Sequence, residues 1–218
     1  MAKPIKDQNR WQLWLAILAN VLAFYALMQW DDIAATGIKA LINKSANILP
    51  VGLAIVVTTI INGLLSAEAK ARIVFLRWKN ALPGHRAFSE LAPNDSRIDL
   101  GRLKKACGNK LPDAAADQNS VWYRLYKSVE KRPSVEHVQR DFLLMRDYAG
   151  FAALCIPIFG VAAIIEMQSL RVSLLYFAGL LMQFFLVRQA AANYGIRFVT
   201  TVMAEKASSP SSRQSSSS

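Results

Sequence analysis

The chain has 218 residues, of which 53% are hydrophobic and 19% are charged, and its formal net charge is +11. Soluble domains carry about 45–50% apolar and about 25% charged residues. The apolar residues here lie in four blocks separated by basic segments, which indicates an integral membrane protein and argues against a soluble enzyme. Cys107 lies in a polar segment and Cys155 in an apolar block, so we expect no disulfide. Because the chain has no Cys/His cluster with zinc spacing, we expect no metal or other cofactor.

The first block, residues 11–30, is uncharged and follows three basic residues, Lys3, Lys6 and Arg10. Twenty residues of helix rise about 30 Å, which matches the hydrocarbon thickness of a bilayer. Trp11 and Trp30 lie at its ends, where aromatic side chains prefer the interface. A cleaved signal peptide is the alternative, but the block is too long and lacks a small-x-small cleavage site. We therefore predict an uncleaved first span.

The second block, residues 48–66, is apolar on every side, with Pro50 in its first turn. The connection before it, residues 31–47, has apolar residues at helical spacing together with Lys39 and Lys44. It predicts either a helix lying in the outer membrane interface or an ordinary amphipathic linker.

The third and fourth blocks, residues 148–165 and 172–187, are separated by a short connection. The third contains Pro157, and Arg171 and Arg188 border the fourth. The short connection predicts an antiparallel hairpin. The tail, residues 189–218, begins with helical periodicity and ends in a serine-rich run that we expect to be disordered.

These elements predict an all-α fold with a four-span transmembrane bundle. Its two hairpins are residues 1–66 and 148–188, and a small helical insert, residues 67–147, lies between spans 2 and 3. Four spans place both termini and the insert on one side, together with 23 of the 26 Lys and Arg residues. The positive-inside rule then predicts that this side is cytoplasmic, in the inner (plasma) membrane.

The pattern of the insert predicts a helical lobe joined to the second and third spans by two helical segments, which we call stalks. Residues 67–82 follow the second span with no helix breaker, and Ser134 can cap a helix that runs into the third span. Short helices are predicted after Asp99, ending at Gly108, and before Pro133. With 81 residues the insert is marginal as a free domain, so we expect it to need its stalks or a second copy, and hence a homo-oligomer.

The insert carries 16 basic and 10 acidic residues. Its excess positive charge predicts a partner that is anionic, either a cytoplasmic ligand or protein or the anionic lipids of the inner leaflet. A candidate ligand-binding turn lies at residues 82–99, away from the spans, where turn formers accompany basic and acidic side chains that could bind a phosphate. Its candidate residues are His85, Arg86, Asp95, Arg97 and Asp99. The alternative is an ordinary connection in which Asp99 caps the next helix.

The strings Leu-Pro-Gly-His-Arg-Ala-Phe-Ser (residues 82–89) and Arg-Ile-Asp (97–99) resemble a segment of uncharacterised bacterial multi-span inner-membrane proteins, some of which belong to defence loci. The resemblance covers the insert and its flanks. It implies a membrane protein, with antiviral defence as a setting, and it assigns no chemistry to any residue.

The predicted spans contain no Asp, Glu, Lys, Arg or His, which argues against a proton-coupled pump. Their polar residues could bond between helices or line a pore. The candidates are Asn20, Thr58, Thr59, Asn62 and Gln183.

The favoured hypothesis is a non-enzymatic membrane protein whose lobe senses a ligand or partner and acts through the transmembrane bundle, as a membrane-perturbing effector would. One alternative is a small oligomeric channel or transporter that uses Asn62 and Gln183. A second is a membrane enzyme that uses His85, Arg86, Asp95 and Asp99.

Overall fold

The computed structural model describes residues 10–37, 48–167 and 169–209. These ranges contain helices and no strand, which confirms the all-α prediction. The helices they contain are α1 (Arg10–Met28), α2 (Trp30–Thr36), α3 (Ile48–Leu64), α4 (Ala67–Phe75), α5 (Leu100–Ala106), α6 (Ala115–Val129), α7 (Pro133–Glu166) and α8 (Leu170–Ser208). A 3₁₀ turn, Pro83–Arg86, and a π turn, Ala87–Leu91, lie between α4 and α5.

Three of the described helices, α1, α7 and α8, are long and apolar enough to cross a membrane. A fourth span is present if α3 and α4, which are bent by 101° at their junction, are counted as one. The 17 residues of α3 rise about 26 Å, at the lower end of what a span needs. The structure therefore carries three to four candidate spans.

The surface of these helices is apolar to a degree that soluble proteins avoid. Leu64 is 79% exposed and Ile165 is 71% exposed. Further large apolar side chains that are at least half exposed on the same helices are Trp14, Leu18, Leu22, Leu53, Ile60, Leu175 and Leu186. Soluble monomers rarely expose apolar patches beyond a few hundred Å², so this surface fits a hydrocarbon environment.

The chain divides into two compact units. We call one the apolar unit; it comprises the described residues of Met1–Val74 and Leu143–Ala191. We call the other the lobe; it comprises Phe75–Phe142 and the described residues of Ala192–Ser218. Helices α7 and α8 each contribute residues to both units, because the unit boundaries fall within them.

In the apolar unit, α1, α3, α7 and α8 share one core. The Phe24 and Phe159 rings meet edge to face with centroids 5.4 Å apart. The connected ends of α7 and α8 pack closely, since the Ser173 hydroxyl donates to the Ala163 carbonyl at 2.9 Å. A Cβ atom at Gly160 would lie 2.6 Å from the Phe177 ring, so this contact requires glycine. The helix continues through Pro157 without a break.

The lobe core is built around Phe198 of α8. Trp122 and Tyr126 contact its ring edge to face, at 5.4 and 5.5 Å, and the Trp122 indole donates to the Val199 carbonyl at 3.3 Å. Other fully or nearly fully buried members are Ala87, Phe88, Leu103, Val135, Val202 and Met203. The segment after Arg188 thus supplies part of the lobe core, whereas its sequence predicts a separate tail.

Residues 67–82 were expected to continue the helix of the second span, and this prediction is wrong. Helix α3 ends at Leu64, and α4 leaves it at 101°. The Ser66 hydroxyl accepts the backbone N–H of Ala69 at 3.1 Å. Ser66 therefore caps a new helix rather than continuing the old one. Helix α4 then ends at Phe75, and Leu76 follows with a φ of 50°.

The role predicted for Ser134 is also wrong. Helix α7 begins at Pro133, which suits the first helical position. Ser134 lies inside the first turn, and its hydroxyl donates to the Glu205 carboxylate. The helix itself runs unbroken into the third predicted span, as expected.

The short lobe helices are confirmed. Asp99 caps α5 by accepting the Arg102 N–H at 2.9 Å, and Gly108 follows this helix with a φ of 83°. The predictions for Lys3, Lys6, Lys39, Lys44 and the serine-rich end from residue 210 fall outside the described residues, as does the side chain of Arg10.

Candidate functional site

The predicted ligand-binding turn is held against α6 by Gln118, which is 2% exposed. Its Oε1 accepts the backbone N–H groups of Phe88 (3.0 Å) and Ser89 (3.1 Å), and its Nε2 donates to the Asp113 carbonyl at 2.9 Å. Gly84 approaches α6 so closely that a Cβ atom there would collide with the Asn119 side chain. Local sequence patterns do not reveal this role of Gln118, because its partners in the turn lie 29 and 30 residues away along the chain.

The two N-terminal candidates of the turn contact the protein itself. The His85 Nδ1 lies 3.0 Å from the Ala115 carbonyl, and since a carbonyl only accepts, this nitrogen carries the proton. The Arg86 guanidinium stacks on the Phe75 ring at 5.5 Å and lies 3.5 Å from Glu90. Burial, reinforced by the nearby Arg77, lowers the pKa of Arg86. Its Nη1 is buried without a hydrogen-bond partner among the described residues.

Asp95 and Arg97 form a bidentate ion pair. Arg97 Nε and Nη2 donate to the two Asp95 carboxylate oxygens at 2.9 and 2.6 Å, and Nη2 also donates to Thr200 at 2.9 Å. The hydrogen bonds from Arg97 hold the pKa of Asp95 well below its usual range. The same pair raises the pKa of Arg97. This pair fastens the turn to the C-terminal part of α8.

The five candidate side chains therefore serve the fold of the lobe. His85 and Arg86 bind neighbouring groups, Asp95 and Arg97 bind each other, and Asp99 caps α5. A ligand would have to displace these contacts. The predicted ligand role of this turn stays a prediction.

A different part of the lobe offers a basic cavity of about 250 Å³. It lies among α5, α6 and α8, and its walls include Arg124, Lys206, Ser128 and the half-buried thiol of Cys107. Burial raises the pKa of the Cys107 thiol, although the two cations oppose this effect. A thiol kept protonated is a poor nucleophile. Two cations and a hydroxyl around a small cavity suit a phosphate-like anion.

In the apolar unit four of the five candidate polar side chains bond within the protein. Thr58 donates to the Ala54 carbonyl and Asn20 to the Ala16 carbonyl, each one helical turn earlier. The other two amides reach across helices: the Asn62 amide donates to the Asp147 carbonyl at 3.1 Å, and the Gln183 amide donates to the Tyr148 hydroxyl at 2.7 Å. The Thr59 hydroxyl is buried without a partner among the described residues. The structure brings Asn20 and Gln183 to the wall of one groove and places Asn62 elsewhere.

A buried ion cluster joins α4 to α7 in this unit. Lys70 Nζ lies 2.9 Å from the Asp147 carboxylate, and Arg146 lies 3.2 Å from the same oxygen. Lys70 is 5% exposed. Gly150 lies beside Asn62, whose Oδ1 would be 2.6 Å from a Cβ atom there. Local sequence patterns do not reveal this cluster, because Lys70 and Asp147 lie at opposite ends of the insert, 77 residues apart.

No group of three or more His, Cys, Asp or Glu side chains that could hold a metal ion occurs in residues 10–37, 48–167 and 169–209. No family model, curated protein or solved structure matches the chain.

Proposed function

We propose that the chain is a non-enzymatic integral membrane protein whose cytoplasmic lobe binds a small anion and alters the transmembrane bundle through α7 and α8. One observation carries the proposal: each of these helices supplies both an apolar candidate span and part of the lobe core. Helix α7 contributes Val135, Val138 and Phe142 to the lobe core, and α8 contributes Phe198 and Val202. A ligand that repacks this core therefore acts directly on two membrane helices.

The proposed topology has four spans in the inner membrane, with both termini and the lobe in the cytoplasm. The lobe then faces the leaflet that carries anionic lipids. The excess of Lys and Arg on that side supports it. Helix α4 leaves α3 at 101° and carries the exposed Arg72. This geometry suits a helix that lies along the inner membrane surface and meets anionic headgroups.

The proposed anion site is the basic cavity bordered by Arg124 and Lys206. Lys206 belongs to α8, whereas Arg124 belongs to α6. An anion bound by both cations would join the end of α8 to the rest of the lobe and so bias the position of a helix that also forms a span. In the bacterial defence setting that the sequence resemblance suggests, the output is perturbation of the membrane.

The channel alternative gains no support, because the amide donors of Asn62 and Gln183 bond inside the protein. The enzyme alternative gains none, because His85, Asp95 and Asp99 contact other groups of the lobe.

The test uses the full-length protein in nanodiscs, with inorganic pyrophosphate as the probe anion. We expect calorimetry to detect binding that weakens as salt is raised. Arg124→Gln with Lys206→Gln should weaken it about ten-fold or more, since charge-assisted hydrogen bonds are lost. Lys104→Gln with Lys105→Gln is the matched control, because it removes the same charge from α5 outside the cavity.

Hydrogen exchange of residues 143–165 and 172–187 in the same sample reports the response of the bundle. We expect pyrophosphate to change the hydrogen exchange of these two segments in the wild type and in the control variant. We expect no change in the cavity variant. Absence of pyrophosphate binding, or binding that leaves both segments unaffected, would contradict it.

A further inference from the structure

Residues 76–80, the loop that follows α4, expose apolar and basic side chains in alternation. Leu76 is 61% exposed and Trp78 is 83% exposed. Arg77 and Lys79 lie next to them in the chain and are exposed as well. Among the described residues, every other large apolar side chain more than 60% exposed lies on α1, α3, α7 or α8, the helices that supply the candidate spans. The loop belongs to the lobe, yet its apolar exposure is that of a lipid-facing surface.

The backbone of this loop is strained at the exposed leucine. Leu76 has a φ of 50° and Asn80 a φ of 51°. Asparagine tolerates this left-handed conformation, whereas for leucine it is unfavourable and glycine would fit it best. Because the Leu76 side chain is largely exposed, its packing within the lobe does not offset the strain. An apolar environment outside the chain would do so, and strained residues of this kind concentrate at functional sites.

The loop begins at the depth of the membrane surface if α3 is a span. Helix α4 leaves α3 at 101°, so it runs nearly perpendicular to α3. Its 9 residues rise about 13 Å along its own axis but only about 3 Å along that of α3. With the usual span tilt of about 20°, the shift along the membrane normal is still only about 7 Å. The headgroup region on each side of a bilayer is about 5–8 Å thick, so the chain enters the loop within that region.

The charge of the loop complements an anionic surface. Residues 76–80 contain two cations and no acidic residue. Burial, followed by the field of Arg77, lowers the pKa of Arg86, which shows that positive charge accumulates at this end of the lobe. Tryptophan prefers the boundary between headgroups and acyl chains, and neighbouring Lys and Arg side chains reach lipid phosphates from that depth. Exposed apolar and basic side chains in alternation therefore favour a bilayer with anionic lipids over a soluble partner.

We propose that residues 76–80, the anchor loop, bind the lobe to the anionic leaflet of the membrane that the same chain spans. Trp78 and Leu76 enter the boundary between headgroups and acyl chains, while Arg77 and Lys79 contact lipid phosphates. This role rests on the proposed function in one respect, namely that α3 is a span with the lobe on its anionic side. It does not involve the basic cavity of the lobe.

The experiment measures the surroundings of Trp78 in the full-length protein. Two nanodisc preparations contain the same fraction of phosphatidylcholine brominated on its acyl chains. The remaining lipid is phosphatidylcholine in one preparation and phosphatidylglycerol in the other. Subtracting the fluorescence of Trp78→Phe from that of the wild type isolates Trp78. We expect the brominated lipid to quench Trp78 and the bilayer to shield it from aqueous acrylamide, both more strongly with phosphatidylglycerol.

Charge variants test the contact with anionic lipid, each measured with and without Trp78→Phe. Arg77→Gln with Lys79→Gln should lower the ratio of inserted to free loop about 30-fold in the phosphatidylglycerol nanodiscs, since each basic residue contributes about 1 kcal/mol near an anionic surface. Lys104→Gln with Lys105→Gln is the matched control, because it removes the same charge from exposed positions of α5. We expect the control to leave the quenching of Trp78 unchanged.

Glycine variants separate the membrane contact from a role in folding. Leu76→Gly and Asn80→Gly each place glycine at a positive φ, but only the first removes an apolar side chain. We expect Leu76→Gly to reduce the quenching of Trp78 by brominated lipid without lowering Tm in detergent. Asn80→Gly should leave the quenching unchanged.

Three results would overturn the proposal. The first is a Trp78 that stays open to acrylamide in both nanodiscs. The second is shielding without quenching by brominated lipid, because another protein or a second copy would then cover the loop. The third is equal quenching in both nanodiscs that Arg77→Gln with Lys79→Gln does not change. Pyrophosphate binding to the same samples tests the proposed function separately, since Arg124 and Lys206 lie outside the anchor loop.

Discussion

At the scale of single residues, Asp147 is a carboxylate that two cations share in the apolar unit. Its carboxylate faces Lys70 at 2.9 Å and Arg146 at 3.2 Å. Removing the shared anion leaves two cations in a poorly solvated place, whereas removing Lys70 leaves one ion pair. Stranding a buried charge costs about 3–5 kcal/mol.

We therefore expect Asp147→Leu to destabilise the protein by about 3–5 kcal/mol and Lys70→Met by distinctly less. Denaturant unfolding in detergent measures both. Arg72→Met serves as the control, because Arg72 forms an exposed ion pair with Glu68, and such pairs contribute at most about 1 kcal/mol. A Lys70→Met effect as large as that of Asp147→Leu would show that Arg146 does not share the carboxylate.

Glu205 gives the lobe a defined response to acid. Hydrogen bonds from Ser134, followed by those from Arg132, lower the pKa of the Glu205 carboxyl. A carboxyl whose folded-state pKa is depressed stabilises the fold above its unfolded pKa, which is about 4.3 for Glu. That stabilisation is lost as pH falls through the lower folded value.

Lobe stability should accordingly be flat from pH 7 to about 5.5 and fall below about pH 4. Thermal melting followed by tryptophan fluorescence measures this profile. Glu205→Gln should be less stable than the wild type at pH 7, and the two proteins should converge as pH falls. Glu68→Gln is the control, since Glu68 lies outside the lobe. A wild-type advantage that grows in acid would contradict the sign of the shift.

At the scale of elements, the join between the π turn and α6 depends on one side chain. Gln118→Ala would leave the Phe88 and Ser89 N–H groups and the Asp113 carbonyl without their present partner. We expect a loss of about 2–4 kcal/mol in lobe stability, because buried unsatisfied groups cost about 1–3 kcal/mol each and some will reach water.

Gln118→Glu separates the two halves of this contact. It keeps an acceptor for the turn and loses the donor to Asp113, so it should recover part of the stability. Hydrogen exchange at residues 88 and 89 should rise in the alanine variant and stay low in the glutamate variant. Unchanged exchange in the alanine variant would show that another group holds the turn.

The continuity of α8 carries the proposed coupling. Proline inside a helix removes a hydrogen bond and costs about 3 kcal/mol or more. Ala190→Pro lies between the apolar part of α8 and the residues that enter the lobe core. We expect it to leave pyrophosphate binding intact and to abolish the effect of pyrophosphate on hydrogen exchange in residues 172–187. Ala190→Ser, which keeps the helix, should behave as the wild type; a preserved response in the proline variant would refute coupling through α8.

The helices with strong periodicity or a clear cap were predictable. Asp99 predicts the start of α5 and Gly108 predicts its end. The apolar spacing of residues 121–129 predicts α6. The break between α3 and α4 at Ser66 was not predicted, because a serine after an apolar run is equally typical of the last residue of a span and of a helix N-cap. Local sequence does not distinguish the two, since the choice depends on the ion pair that Lys70 forms with the distant Asp147.

At the scale of the whole molecule, contacts between segments far apart in the chain could not be predicted from the sequence. The Lys70–Asp147 pair, the bonds of Gln118 to the π turn and the association of Phe198 with the insert all join segments at least 29 residues apart. Periodicity and capping are local signals, so they predict elements and not partners. The candidate ligand turn illustrates this limit, because its charges looked available in sequence and are paired in the fold.

The membrane topology is the claim on which the function depends, and cysteine labelling tests it most directly. In a background with Cys107→Ser and Cys155→Ala, single cysteines are placed at Lys110 in the lobe and at Ser169 between α7 and α8. A membrane-impermeant maleimide is then applied to spheroplasts and to inverted vesicles. We expect labelling of the Lys110 site in inverted vesicles only and of the Ser169 site in spheroplasts only. Labelling of both sites from the same face, or of the Lys110 site in spheroplasts, would contradict it.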